Sequence, residues 1–136
     1  MTAQTSAAGP CAARHVLLGE DDVEMAGLLR RALTNRGHRV TTANSGPAVL
    51  EVAPSHHPDV VVLKSLLTGL NGGPVAALLH AMPTTATTPV VVYSEVGAGG
   101  VPFPLAGADS RYVSRYVEVR HSTDIVDAVE HALSSH

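Results

Sequence analysis

The sequence predicts an α/β fold: a doubly wound, five-stranded parallel sheet with helices on both faces. Three observations carry that expectation. The hydrophobic period switches back and forth between short apolar runs and helical spacing, which implies crossover connections between parallel strands. The clearest strands, "HVLLG" (15–19), "DVVVL" (59–63) and "PVVVY" (89–93), are almost wholly apolar, as strands buried on both faces are. At 136 residues, 45% hydrophobic and 15% charged, the chain suits one domain with a substantial core.

Each element has a local cause. After the first strand, Asp22 stands where an N-cap belongs, and Val23, Ala26, Leu29 and Leu33 follow at helical spacing up to Gly37. "HRVTTA" (38–43) reads as the second strand. "SGPAVLEVA" (45–53) reads as a short helix with a Ser cap, an early proline and a stop at Pro54. "DVVVL" is the third strand, and "PVAALLHAM" (74–82) a helix between Pro74 and Pro83. "PVVVY" is the fourth strand and "SRYVS" (110–114) a weaker fifth. The last helix starts from a Ser122 or Thr123 cap and runs through Ile125, Val126, Val129 and Leu133. No internal repeat or linker divides the domain, which is expected over residues 15–136.

The opening "MTAQTSAAGPCAAR" is small, polar and aperiodic, so residues 1–14 are expected to be a disordered tail. It lacks the basic and apolar regions of a signal peptide. Its Cys11 is the only cysteine and has no internal disulfide partner, in keeping with a cytoplasmic location. Net charge is −3 and aromatics are 3%, with no basic cluster, which argues against nucleic acid. No apolar stretch is long enough for a membrane span. The eight histidines are scattered without ligand spacing and are expected to be solvated surface residues.

In doubly wound sheets the site lies at the carboxyl ends of the strands, where strand order reverses. That directs attention to Glu20, Asp21 and Asp22 after the first strand, Lys64 after the third, Ser94 and Glu95 after the fourth, and Arg115 after the fifth. Lys64 is the unusual one: a buried apolar run ends in an ammonium group.

These pieces in order resemble a receiver domain of bacterial two-component response regulators, over residues 15–134. "VLLGEDD" resembles the family's first strand with its acidic pair, here Glu20 and Asp21. "PDVVVL" resembles the third strand and "TGLNG" the loop after it. "TPVVVYS" resembles the fourth strand with its hydroxyl at Ser94, and "AGADSRYVSR" the stretch ending in the family's lysine. The resemblance implies a flavodoxin-like sheet of strand order 2-1-3-4-5. It also implies switch-like positions at Ser94, Glu95, Tyr112 and Arg115.

The pattern departs from the family at the site itself. Lys64 stands at the place of the phosphoacceptor aspartate, Arg115 at that of the lysine, and Tyr116 at that of the proline after it. Thr68 and Asn71 replace the loop's Pro and Asp, and Glu95 a small residue. Accepting a phosphoryl group needs an available nucleophile beside a divalent ion. Lysine between carboxylates stays protonated and lacks a lone pair. Glu20 and Asp21 against Lys64 and Arg115 would balance without metal, so loss of Mg2+ and absence of any cofactor or catalytic residue are expected. An alternative is a Lys64 that snorkels to solvent. A reactive, pKa-depressed lysine is opposed by its acidic neighbours.

A second departure is "EVGAGGVPFPLAGAD" (95–109), where the family has its fourth helix. Gly and Pro inside a helix cost about 1 and 3 kcal/mol relative to Ala, so this helix is expected to be short or lost. The expected function is an atypical stand-alone receiver, non-enzymatic, acting through protein–protein interaction without phosphorylation. The alternative is a small-ligand sensor using the altered pocket and the 95–109 loop. Expected partners are proteins, with neither nucleic acid nor membrane, in a monomer or weak homodimer.

Overall fold

The computed structural model describes residues 14–95 and 112–134, and of Glu95 only the backbone. The expected tail, Arg14 apart, and the Gly/Pro-rich stretch 96–109 lie outside the described residues. In chain order the elements are β1 (His15–Gly19), α1 (Val23–Asn35), β2 (Arg39–Ala43), α2 (Gly46–His56), β3 (Val60–Lys64), α3 (Gly72–Ala81), β4 (Val90–Glu95), β5 (Arg115–Val119) and α4 (Ser122–Ser134).

The five strands are all parallel and ordered β2-β1-β3-β4-β5, as predicted. Alternate strand residues feed two cores. Val16, Leu18, Val60, Val62, Val91 and Tyr93 pack under α1 and α4 with Leu29, Leu33, Ile125 and Val129. Leu17, Val61, Leu63, Val90 and Val92 face α2 and α3 with Val49, Ala53, Val75 and Leu79. Both faces are covered, which is why the central strands carry no polar alternation. Among the described residues, no helix is long and apolar enough to cross a membrane.

The helix starts are local hydrogen-bond solutions. The Asp22 side chain accepts from the Glu24 N–H at 3.1 Å, and Ser45 Oγ from the Ala48 N–H at 3.1 Å. Gly37, at φ +90°, turns the chain out of α1. The last helix is closed differently from expectation. Rather than Ser122 or Thr123, the Asp124 carboxylate reaches back to accept from the Arg120 and His121 N–H groups, at 2.8 and 3.0 Å. Those two bonds hold the Asp124 carboxyl below its usual range.

Three further expectations are corrected. Helix α2 does not stop at Pro54 but continues to His56. The proline forfeits a single N–H bond in the last turn, and the left-handed His57 ends the helix with its N–H on the Ala53 carbonyl at 3.2 Å. The fifth strand is Arg115–Val119, not 110–114. The chain reads RYVS-RYVE, residues 111–118, and the second copy forms the strand. Ser114 delivers the chain to it: its N–H donates to the Val90 carbonyl at 2.8 Å, and its Oγ accepts from the Val90 N–H at 3.2 Å. Finally, His15 and His38 are buried rather than solvated. The His56 carbonyl accepts from His15 Nδ1 at 3.1 Å, so in the neutral ring Nε2 accepts from the Thr41 hydroxyl at 2.7 Å.

Gly46 fixes the β3–α3 loop against α2. Its N–H donates to the Thr68 carbonyl at 2.8 Å, and a Cβ on it would lie 2.4 Å from the Leu70 carbonyl oxygen. Gly46→Ala is therefore expected to destabilise by about 1–3 kcal/mol through overpacking against backbone. Urea unfolding checks it; a midpoint within error of wild type would contradict the close packing.

Candidate functional site

Two carboxylates meet at the carboxyl edge of the sheet because β1 ends there. The Glu20 N–H extends the ladder to the Ala43 carbonyl at 3.0 Å, and Asp22 is committed to capping α1. Glu20 is thereby turned inward, its side chain wholly buried, while Asp21 stays at the rim. Lys64, the last residue of β3, pairs in register with Tyr93.

Lys64 turns inward. Its Nζ lies 3.0 Å from Asp21 Oδ1 and 3.3 Å from Glu20 Oε2, with the lysine side chain 23% exposed. The second Asp21 oxygen accepts from the Thr68 N–H at 2.9 Å and the Thr68 hydroxyl at 2.6 Å. Glu20 Oε2 also accepts from the Asp22 N–H at 3.0 Å, and Oε1 from the hydroxyl of Tyr93, a fully buried ring. All four carboxylate oxygens therefore have donors.

Burial alone would raise the Asp21 carboxyl. The Thr68 hydroxyl, the Lys64 ammonium and the Thr68 N–H override it and hold the group well below the usual carboxylate range. Burial alone would lower the Lys64 ammonium. Its bond to Asp21 and the Glu20 charge override that, so its pKa is raised and it is protonated at neutral pH.

The structure separates other residues that the sequence had grouped with this site. Arg115 begins β5 rather than following it and pairs with Val91, two residues short of the Lys64–Tyr93 level. It is exposed and sits beside α4 with Asp124, Asp127 and His131. The expected four-charge balance is therefore corrected: one ammonium faces two carboxylates, and the neutral donors Thr68, Tyr93 and the Asp22 N–H solvate the oxygens it leaves over without cancelling the remaining negative charge. Tyr112 lies before β5, its ring 4.9 Å from that of His80 on α3, away from the carboxyl edge. Ser94 is at the carboxyl end of β4, opposite Glu118. Glu95 closes β4 by its backbone.

Tyr93 and Thr68 were missed as site residues. Tyr93 reads as the last apolar residue of a strand, and only its level with Lys64 puts the hydroxyl on Glu20. Thr68 is one of several polar loop residues, and its partner lies 47 positions away. Among the described residues, no group of three or more His, Cys, Asp and Glu could hold a metal.

This sheet order is that of the flavodoxin-like doubly wound domains, here with an acidic pair after β1. Residues 16–101 match the response regulator receiver domain, and the chain belongs to that family, the receivers of two-component signalling. It is 35% identical over 103 residues to the transcriptional regulatory protein TcrA of Mycobacterium tuberculosis, covering 76% of this chain and 39% of that one. It is 34% identical over 85 residues to the response regulator PleD of Caulobacter vibrioides, covering 62% and 19%. The chain thus spans well under half the length of these relatives. Among solved structures it resembles the receiver domain of NtrX from Brucella abortus, at TM-score 0.75 and 22% identity over 89% of this chain and 99% of that one. It also resembles the receiver domain of the sensor histidine kinase PA1611 from Pseudomonas aeruginosa, which has a magnesium ion in its active-site cleft (TM-score 0.69, 17% identity, 90% and 99% covered).

Two outcomes follow from the geometry. Tyr93→Phe leaves a buried Glu20 oxygen without its hydroxyl donor and should cost about 1–3 kcal/mol, read by chemical denaturation at pH 7. The Asp21 cluster should also set an acid limb. Because the folded pKa is depressed below the ordinary 3.8, the stabilisation is complete above that value and fades as pH falls through the folded one. The advantage of wild type over Asp21→Asn should therefore shrink below about pH 4. A difference independent of pH down to 2 would refute the assignment.

Proposed function

We propose that this receiver domain signals through protein–protein contacts without accepting a phosphoryl group, and that it is not an enzyme. The observation carrying this reading is the Lys64 ammonium, 3.0 and 3.3 Å from the two carboxylates. A protonated amine has no lone pair with which to attack phosphorus. Magnesium requires hard oxygen ligands in an octahedron, and the residues here do not fit it. The ammonium already spends the oxygens that would face the ion, and its charge opposes a second cation. Lys64 thus supplies permanently the positive charge that a bound ion supplies reversibly. The domain's partner in this reading is another protein that recognises the fixed conformation.

The test combines phosphodonor and metal. Acetyl phosphate should leave the intact mass unchanged, and a stable stoichiometric gain of one phosphoryl group on a pocket residue would sink the reading. Millimolar magnesium should leave the melting temperature of wild type unmoved. It should raise that of Lys64→Asp, since a site held at 100 times its Kd gains about 2.7 kcal/mol. Lys64→Ala should cost roughly 1–3 kcal/mol at pH 7, below the 3–5 typical of a fully buried pair because the lysine is partly solvated. Melting of that variant within error of wild type would remove the electrostatic role.

A further inference from the structure

We propose that the cleft between α1 and α2, at the carboxyl end of the edge strand β2, binds a small organic anion: a phosphate monoester or carboxylate on a short apolar body. The cleft is a groove open to solvent along one side, with a volume of about 680 Å³, within the roughly 300–1,000 Å³ usual for small-molecule sites. Its apolar surface is built from small side chains, Ala26, Gly27 and Ala48, with Val52 beside them. No aromatic ring lines it, so a nucleobase has no stacking partner, whereas a short aliphatic body has apolar contact.

The recognition chemistry comes from Arg30 and Arg31. Both line the cleft and both are exposed, and among the described residues neither has a carboxylate partner. Arg36 on the same helix end is instead spent on Glu130 at 2.6 Å. The Arg31 guanidinium is laid across the helix toward the cleft, its Nη1 3.6 Å from where a Cβ on Gly27 would sit. Guanidinium forks match carboxylate and phosphate oxygens in a bidentate manner. Thr42 and Asn44, at the end of β2, add a hydroxyl and an amide. Glu20 and Asp21 close the other end and share the single Lys64 ammonium, so that end keeps a net negative charge and an anion is directed to the arginine end.

The site goes beyond the reading of the Lys64 pocket and does not rest on it, since Arg30 and Arg31 take no part in that cluster. The test is a titration of the 15N-labelled full chain with hexyl phosphate, hexanoate and, as the uncharged control, hexanol. At least one anion should give saturable amide shifts confined to Gly27, Thr42, Asn44 and Ala48, and hexanol should not. Arg30→Glu with Arg31→Glu should weaken binding at least about tenfold. Ala48→Leu, which fills the cleft without charge change, should abolish it while the remaining spectrum stays folded. Absence of saturable shifts from both anions, equal shifts from hexanol, or undiminished affinity in the double arginine variant would each overturn the proposal.

Discussion

A buried carboxylate has to be neutralised, and the carboxyl edge of this sheet is organised around that requirement. Glu20 is turned into the protein by the ladder bond of its own N–H and has no access to water. Left without partners, its buried charge would destabilise the fold. Instead Lys64, Tyr93 and the Asp22 N–H converge on it, and Lys64 is shared with Asp21. Each donor comes from a different place in the chain, and the parallel register alone brings the tyrosine level with the lysine.

The rest of the edge is arranged by what that cluster leaves over. The Asp22 carboxylate, outside the cluster that its own N–H joins, caps α1; Thr68, bound to Asp21, fixes the loop that enters α3; Gly46 then lets α2 close on the same loop. The two helices that flank β2 are thus positioned from both sides of one set of charges. The cleft between them takes the acidic end of its lining from the same set.

The fold was legible in the sequence because its signals are redundant: apolar runs, caps and crossover spacing all describe the same layered sheet. Lys64 and its acidic pair were legible because strand ends can be located to within a residue or two, and the carboxyl edge collects them. Tyr93 was hidden because a hydroxyl at the end of an apolar run carries no pattern of its own. Arg115 was misplaced because the sequence offers the same triplet twice. Pro54 was overread, since a proline in a final helical turn removes one bond where little helix remains to break. The buried His15 was underread, because its partners Thr41 and the His56 carbonyl come from other segments.

The doubled RYV triplet has a consequence for how the edge strand finds its pairing. A slip of four residues is an even number, so it would leave every inward side chain inward and every outward one outward. Alternation, which ordinarily polices strand register, is blind to such an error here. The two frames differ at their last residues: Ser114 would replace Glu118, and Arg115 would replace Val119. Val119 is buried, 5% exposed, against α4, whereas an arginine there would have to desolvate its charge. A single valine at the end of the sheet therefore does the discriminating that periodicity cannot, selecting one of two nearly synonymous readings of the same strand.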